Sequence, residues 1–95
     1  ISIFPDSYTL LHRLASVYNQ KEMFDKGRDY AKNSLKYKKN YAPSLFELGI
    51  SEMNLCNKVA AKDAFTKCKR DRNYRRTASD YLKPDNFDYY TKHCN

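Results

Sequence analysis

Apolar and small side chains recur along this chain every three or four residues, which is the spacing of one face of an α-helix. The stripe is clearest near the start, where Leu11, Leu14, Ala15 and Tyr18 follow one another. Similar stripes lie within residues 24–35, 45–49, 61–68 and 74–82. A chain with this period over most of its length can bury its apolar surface only by packing helices side by side. The pattern therefore predicts an all-α fold.

The few turn-forming residues agree with that prediction. The 95 residues include only two glycines and three prolines, and the hairpin dipeptides Asn-Gly and Asp-Gly are absent. We predict helices at about 7–20, 23–37, 42–54, 57–70 and 74–83. The connections are short, so neighbouring helices should pack antiparallel. Pro84 ends the fifth helix, and Asp85 or Asn86 can cap one further short helix carrying Phe87 and Tyr90.

The chain also repeats itself after 34 residues. This shift places Leu11 on Leu45 and Leu14 on Leu48, and it matches Gly27 with Ala61. Large apolar residues fall on large ones, and small residues fall mostly on small ones. Two helices approach closely only where small residues lie at their crossing. We therefore expect Ala15 to lie opposite Gly27, and Gly49 opposite Ala61.

These segments resemble tetratricopeptide repeats, a family of helix pairs of about 34 residues. The resemblance rests on the stretches 45–49 and 61–65, on 11–18, and on 24–37, and it covers roughly residues 1–82. It implies antiparallel helix pairs in a superhelix, closed here by a C-terminal capping helix. The chain departs from the family pattern at Leu11 and Leu45, where the family has tryptophan, and at Glu52, where it has tyrosine.

The predicted organisation is a single domain over residues 1–95. Its parts are 1–6, either the end of a preceding repeat or an N-terminal extension, then repeats at 7–40 and 41–73, a capping helix at 74–83, and a tail or short helix at 84–95. The chain would then be a fragment of a larger repeat protein. Self-association through open repeat ends is a further expectation.

The resemblance also implies a peptide-binding groove on the first helix of each pair. The residues expected to face it are Thr9, His12, Ser16 and Asn19 in the first repeat, and Phe46, Ile50, Met53 and Asn54 in the second. Phe46, Ile50 and Met53 form a second apolar stripe beside the core stripe of the same helix, which favours an apolar groove for a partner helix or an extended peptide. The alternative is that the first or fifth helix, or the tail around residues 87–90, covers this stripe within the fold.

Basic residues form a second candidate site. The formal net charge is +7, which fits nucleic acid, acidic lipid or an acidic protein as partner. The charges cluster in what we call the basic edge: Lys36, Lys38, Lys39, Lys67, Lys69, Arg70, Arg72, Arg75 and Arg76. Tyrosines are interleaved with them, which suits phosphate contacts and base stacking. The alternative is that cations near helix C-termini offset the helix dipole.

Catalytic, metal and membrane functions find little support. The two histidines, His12 and His93, lie near opposite ends of the chain, and no phosphate-binding or zinc-protease motif occurs. The cysteines Cys56, Cys68 and Cys94 have no metal-site spacing, although His93 adjoins Cys94. They are either three free thiols or one bridge, such as Cys56–Cys94, with one thiol left over. The longest apolar run falls far short of the ~20 residues that cross a bilayer.

We therefore predict a protein–protein interaction scaffold that binds a peptide or partner helix, with no cofactor, no metal and no enzymatic activity. The alternative prediction is binding of nucleic acid or another polyanion through the basic edge. The two hypotheses differ in the surface that they use and in their expected dependence on salt.

Overall fold

The computed structural model describes residues 7–94, and within this range it contains helices and no strand. The helices are α1 Ser7–Gln20, α2 Phe24–Tyr37, α3 Ala42–Asn54, α4 Lys58–Cys68, α5 Arg75–Leu82 and α6 Pro84–Thr91, and a 3₁₀ turn, Lys92–Cys94, follows. The all-α prediction is confirmed, and the helix ends agree with the predicted ones to within two residues. The prediction made for residues 1–6 lies outside the described part of the chain.

Polar contacts at both ends of α1 and α2 show that these helices run antiparallel. Near the end of α2, the Ser34 hydroxyl donates to the Tyr8 carbonyl oxygen at the start of α1, at 2.7 Å. Near the end of α1, the Asn19 side chain lies against Gly27 at the start of α2, so closely that a Cβ there would overlap it. The Ser34 hydroxyl also meets that of Ser44 at the start of α3, and a Cβ on Gly27 at the start of α2 would lie 3.0 Å from the Ser51 hydroxyl near the end of α3, so α3 in turn runs antiparallel to α2.

The turn between α1 and α2 recurs between α3 and α4. Glu22 has a φ of 60°, and Cys56, 34 positions later, has a φ of 66°. The Glu22 amide donates to the Asn19 carbonyl at 3.0 Å, and the Cys56 amide donates to the Met53 carbonyl at 3.2 Å. The sequence repeat is therefore also a repeat of backbone conformation.

The bond that joins the far ends of the first helix pair recurs as well. In the second pair, the Cys68 thiol lies 3.5 Å from the Ala42 carbonyl oxygen, as donor to it. These two residues lie 34 positions after Ser34 and Tyr8, which make the corresponding bond in the first pair. The two hairpins α1–α2 and α3–α4 thus share the same turn and the same bond between their far ends.

The small residues expected at the close crossings lie in the interior, but the side chains nearest the two glycines are not the expected alanines: they are Asn19 and Ser51 at Gly27, and Phe65 at Gly49. Ala15 and Ala61 are fully buried, and Gly27 and Gly49 are buried too. A Cβ on Gly49 would come within 2.7 Å of two ring carbons of Phe65. The nearest neighbour in the space that glycine leaves in α3 is therefore an aromatic ring of α4.

The last two helices close the second hairpin. Ala78 of α5 and Phe87 of α6 belong to the same buried cluster as Met53 and Phe65. Thr91 is buried too, and its hydroxyl donates to the Phe87 carbonyl oxygen. A disulfide between Cys56 and Cys94 fastens the 3₁₀ turn to the α3–α4 turn. Of the two possibilities that the sequence left open for the cysteines, the structure has the single bridge, with Cys68 as the buried free thiol.

Among residues 7–94, no helix combines the length and the apolar character needed to span a bilayer.

Candidate functional site

Seven partly exposed rings lie on α1, α3 and α5, the first helix of each successive pair, or at the residue immediately before one of these helices. One of them, Tyr18, stacks on Tyr30 of α2, and the other six are grouped together. We call this set the aromatic row: Tyr8, His12, Tyr41, Phe46, Tyr74 and Tyr81. Tyr41 and Tyr74 are the residues immediately before α3 and α5. Each ring is neither fully buried nor fully exposed, so each is held by neighbouring side chains and keeps some surface accessible to solvent.

The first half of the row is a cluster where α1 and α3 begin. The rings of Tyr8 and Tyr41 meet edge to face, with centroids 4.7 Å apart. The His12 ring lies 6.0 Å from that of Tyr41. The Lys38 ammonium is 4.8 Å from the centre of the Tyr8 ring and 5.3 Å from that of Tyr41. This half of the row is therefore in direct contact with the basic edge.

The second half of the row is organised by Phe46 on α3. Its ring lies 5.9 Å from the Tyr74 ring and 5.8 Å from the Tyr81 ring, both contributed by the α5 segment. Behind them, the buried ring of Phe65 stacks parallel to Tyr81 at 5.0 Å. Mutual packing of this kind holds the rings in place and lowers the entropy that they lose when a partner binds.

Burial shifts the pKa of three rings of the row, Tyr74, Tyr81 and His12, in the direction that favours their uncharged forms. It raises the pKa of Tyr74 and of Tyr81 above the usual value of a phenol. It lowers the pKa of His12, against the opposing effect of the Glu47 carboxylate, and Arg13 lowers it further. An imidazole with a lowered pKa is mostly neutral at pH 7, so the row offers a largely apolar surface with polar ring edges.

The groove residues predicted on α1 divide into two groups. Thr9, His12 and Ser16 are partly exposed, as a groove requires. Asn19 is 8% exposed and its amide is used within the domain. It donates to a Glu47 carboxylate oxygen at 2.9 Å and accepts from the Ser51 hydroxyl at 2.7 Å. Asn19 therefore joins α1 to α3 in this structure.

The apolar stripe predicted on α3 divides in the same way. Met53 is 3% exposed and belongs to the core. Phe46 and Ile50 are partly buried and pack against that core. Asn54 is partly buried and donates to the Ile50 carbonyl oxygen at 2.8 Å. Rings of α5 cover part of the stripe, so Phe46 and Ile50 remain the members with accessible surface.

All nine residues of the basic edge are exposed. The ends of α2 and α4 both lie beside the start of α3, as the bonds of Ser34 to Ser44 and of Cys68 to Ala42 show. The two clusters of positive charge therefore lie at the same end of the fold. Within residues 7–94, the one ion pair of this edge joins Lys67 to Asp63 at 3.1 Å.

The helix dipole does not explain the arginines at the start of α5. Arg75 and Arg76 are the first two residues of this helix, where the helix dipole is positive and repels cations. Together with Arg72 and Lys83 they line a shallow surface depression of about 540 Å³. The dipole accounts for cations at the ends of α2 and α4, but at the start of α5 it opposes them.

Comparison with protein-family models, with curated proteins and with solved structures gave no match to this chain. The site is therefore defined by its own geometry. Sequence reasoning identified His12 and Phe46 as groove residues and placed Tyr41 and Tyr74 beside the basic edge, but it did not group these four rings with one another or with Tyr8 and Tyr81. The available signal was a tyrosine at or just before the start of each first helix, at positions 8, 41 and 74.

Proposed function

We propose that this chain is a helical-repeat module of the tetratricopeptide type that binds an acidic segment of another protein along the aromatic row. The repeat assignment is supported by the turn and by the inter-helix bond that both recur after 34 residues. Helix pairs of this length that stack in one direction generate an extended binding face on their first helices.

The aromatic row carries the proposal. Tyrosine is enriched in protein interfaces because it supplies a large contact area and a polar edge for little loss of conformational entropy. Here the rings are already held in place by one another, and Lys38 lies over two of them. A partner with apolar anchors for the rings and carboxylates for the basic edge would satisfy both features.

The net charge of +7 and the arginines that open α5 select the chemistry of the partner. Like charges that lie close together are stabilised when an anionic partner neutralises them. Carboxylates of a peptide and phosphates of a nucleic acid both meet this requirement. The way the rings are packed favours the peptide: the Tyr81 ring is already stacked on the buried ring of Phe65, so that face is not free for base stacking.

The test is a selection of random displayed peptides on the immobilised domain with its disulfide intact. Selected peptides should combine acidic residues with aromatic or aliphatic anchors. Titration calorimetry should then show that Tyr41→Ala weakens binding at least about tenfold, which corresponds to ~1.4 kcal/mol. Tyr37→Ala is the matched control, because Tyr37 is 52% exposed and is not part of the row. Circular dichroism should confirm that both variants are folded.

Two results would refute the proposal. One is equal binding by Tyr41→Ala and the unaltered domain. The other is an oligonucleotide that binds more tightly than any selected peptide, with log K falling steeply against log salt, which would move the function to the basic edge alone. Sedimentation of the domain without peptide shows whether it self-associates through the repeat ends. Neither of these two results can then be mistaken for self-association.

A further inference from the structure

The disulfide belongs to a group of three potential metal ligands. Cys56 lies in the α3–α4 turn, while His93 and Cys94 belong to the final 3₁₀ turn. Their Sγ and imidazole nitrogen atoms all lie within 4.8 Å of one another. From this arrangement we infer that, once the disulfide is reduced, Cys56, His93 and Cys94 form a zinc-binding site. The inference goes beyond the proposed function and does not depend on it.

The distances fit a tetrahedral zinc ion. Zn–S bonds of ~2.3 Å and Zn–N bonds of ~2.0 Å place a sulfur and a nitrogen about 3.5 Å apart across a tetrahedral edge. The Cys94 sulfur lies 3.5 Å from the His93 Nε2 atom. The Cα atoms of Cys56 and Cys94 are 5.5 Å apart, so both thiolates reach one ion with little movement of the backbone.

Two thiolates and one imidazole are ligands that zinc prefers. The fourth position is left to solvent, because the group is largely exposed: Cys56 and His93 lie on the surface and Cys94 is partly buried. His93 Nε2 is at present 3.2 Å from the Asn54 carbonyl oxygen. Zinc would replace that contact, and the imidazole would then carry its proton on Nδ1.

Disulfide and zinc are mutually exclusive occupants of this position. A small dithiol reductant transfers two electrons and two protons to the Cys56–Cys94 bond, giving two thiols and a cyclic disulfide of the reductant. Zinc then binds both sulfurs and releases their two protons to solvent. Either cross-link fastens the 3₁₀ turn to the α3–α4 turn and so keeps α6 in place, with Phe87 and Thr91 buried. The site would thus keep the C-terminal helix docked in both oxidising and reducing surroundings.

The experiment uses the full chain, reduced with a phosphine that binds zinc weakly, and titrated with Co²⁺ and then with Zn²⁺. We expect one Co²⁺ per chain with a thiolate-to-cobalt charge-transfer band, and its displacement by Zn²⁺. The oxidised chain should show no such band. Zinc should also raise the melting temperature of the reduced chain and leave that of the oxidised chain unchanged.

Variants separate this site from general thiol binding. Cys56→Ser and Cys94→Ser should abolish the band. His93→Ala should weaken zinc binding at least about tenfold, since even the loss of an outer-sphere partner costs ten- to hundredfold. Cys68→Ser is the control for the third thiol, and it keeps a hydroxyl where the first repeat has Ser34, so it should bind as the unaltered chain does. Absence of the cobalt band in the reduced chain, an unchanged affinity in His93→Ala, or loss of the band in Cys68→Ser would each overturn the inference.

Discussion

Gly49 in α3 provides a direct test of how the second hairpin is packed. An alanine Cβ at this position would lie 2.7 Å from two ring carbons of Phe65 and 2.9 Å from a third. Non-bonded carbons prefer about 3.5–4.0 Å, so a neighbour has to move. The Phe65 ring is fully buried and stacks on Tyr81, which leaves it little room to withdraw.

Whether Gly49→Ala raises or lowers the free energy of unfolding therefore tests this packing. Overpacking of a core costs about 1–3 kcal/mol, whereas glycine to alanine inside a helix gains about 1 kcal/mol. We expect the free energy of unfolding to fall by a net ~0–2 kcal/mol. If Gly49 faced open space, the same substitution would raise it by about 1 kcal/mol.

Urea unfolding followed by circular dichroism measures this difference, and in a domain of this size 1 kcal/mol shifts the melting temperature by roughly 4–8 °C. Thr66→Ala, on the exposed face of α4, controls for helix propensity alone. A double-mutant cycle with Phe65→Leu should show a favourable coupling of about 0.5–3 kcal/mol, because the smaller side chain relieves the contact. A stabilised Gly49→Ala, or a coupling of zero, would refute the packing described for this crossing.

Three further perturbations have defined outcomes. Asn19→Ala should lower the free energy of unfolding by about 1–3 kcal/mol, because it leaves buried polar groups on α3 without their partner; urea titration checks this, and a neutral result would contradict it. Burial raises the pKa of Cys68 to about 12, above its value in the unfolded chain, so the thiol's contribution to stability should be complete at neutral pH and decline as pH rises toward 12. For Cys68→Ser, the free energy of unfolding should lack that part of the decline at alkaline pH. Identical pH profiles for the variant and the unaltered chain would contradict this prediction. Cys56→Ser opens a covalent loop spanning a sequence separation of 38, and thermal unfolding should show a loss of about 3–4 kcal/mol, whereas an unchanged melting temperature would mean that α6 docks without help.

The helices and the repeat were predictable because both leave periodic marks on the sequence. A buried helix face requires an apolar or small residue every three or four positions, so the stripe from Leu11 to Tyr18 indicated α1. The small residues Ala15, Gly27 and Ala61 were correctly expected in the interior, because a close helix crossing excludes larger ones.

The contacts that the sequence did not reveal have no period. Asn19 was assigned to the groove from the family resemblance, and its bonds to Glu47 and Ser51 depend on how α1 lies against α3. The burial of Phe87 depends in the same way on where α6 docks after Pro84. The Cys56–Cys94 bridge was one of the possibilities that the sequence left open, and the position of His93 beside both sulfur atoms became known only from the fold.

The left-handed turn at Glu22 and at Cys56 has a consequence for how such a chain can change. At both positions the backbone leaves a first helix in the same way, and both side chains are exposed. A substitution at either position changes the side chain that the turn exposes and leaves the packing inside the helix pairs unchanged. In the second pair the turn presents a sulfur that bonds to the end of the chain, and in the first it presents a carboxylate. A repeated scaffold can thus acquire a covalent fastening in one unit and leave the equivalent position of the other free to vary.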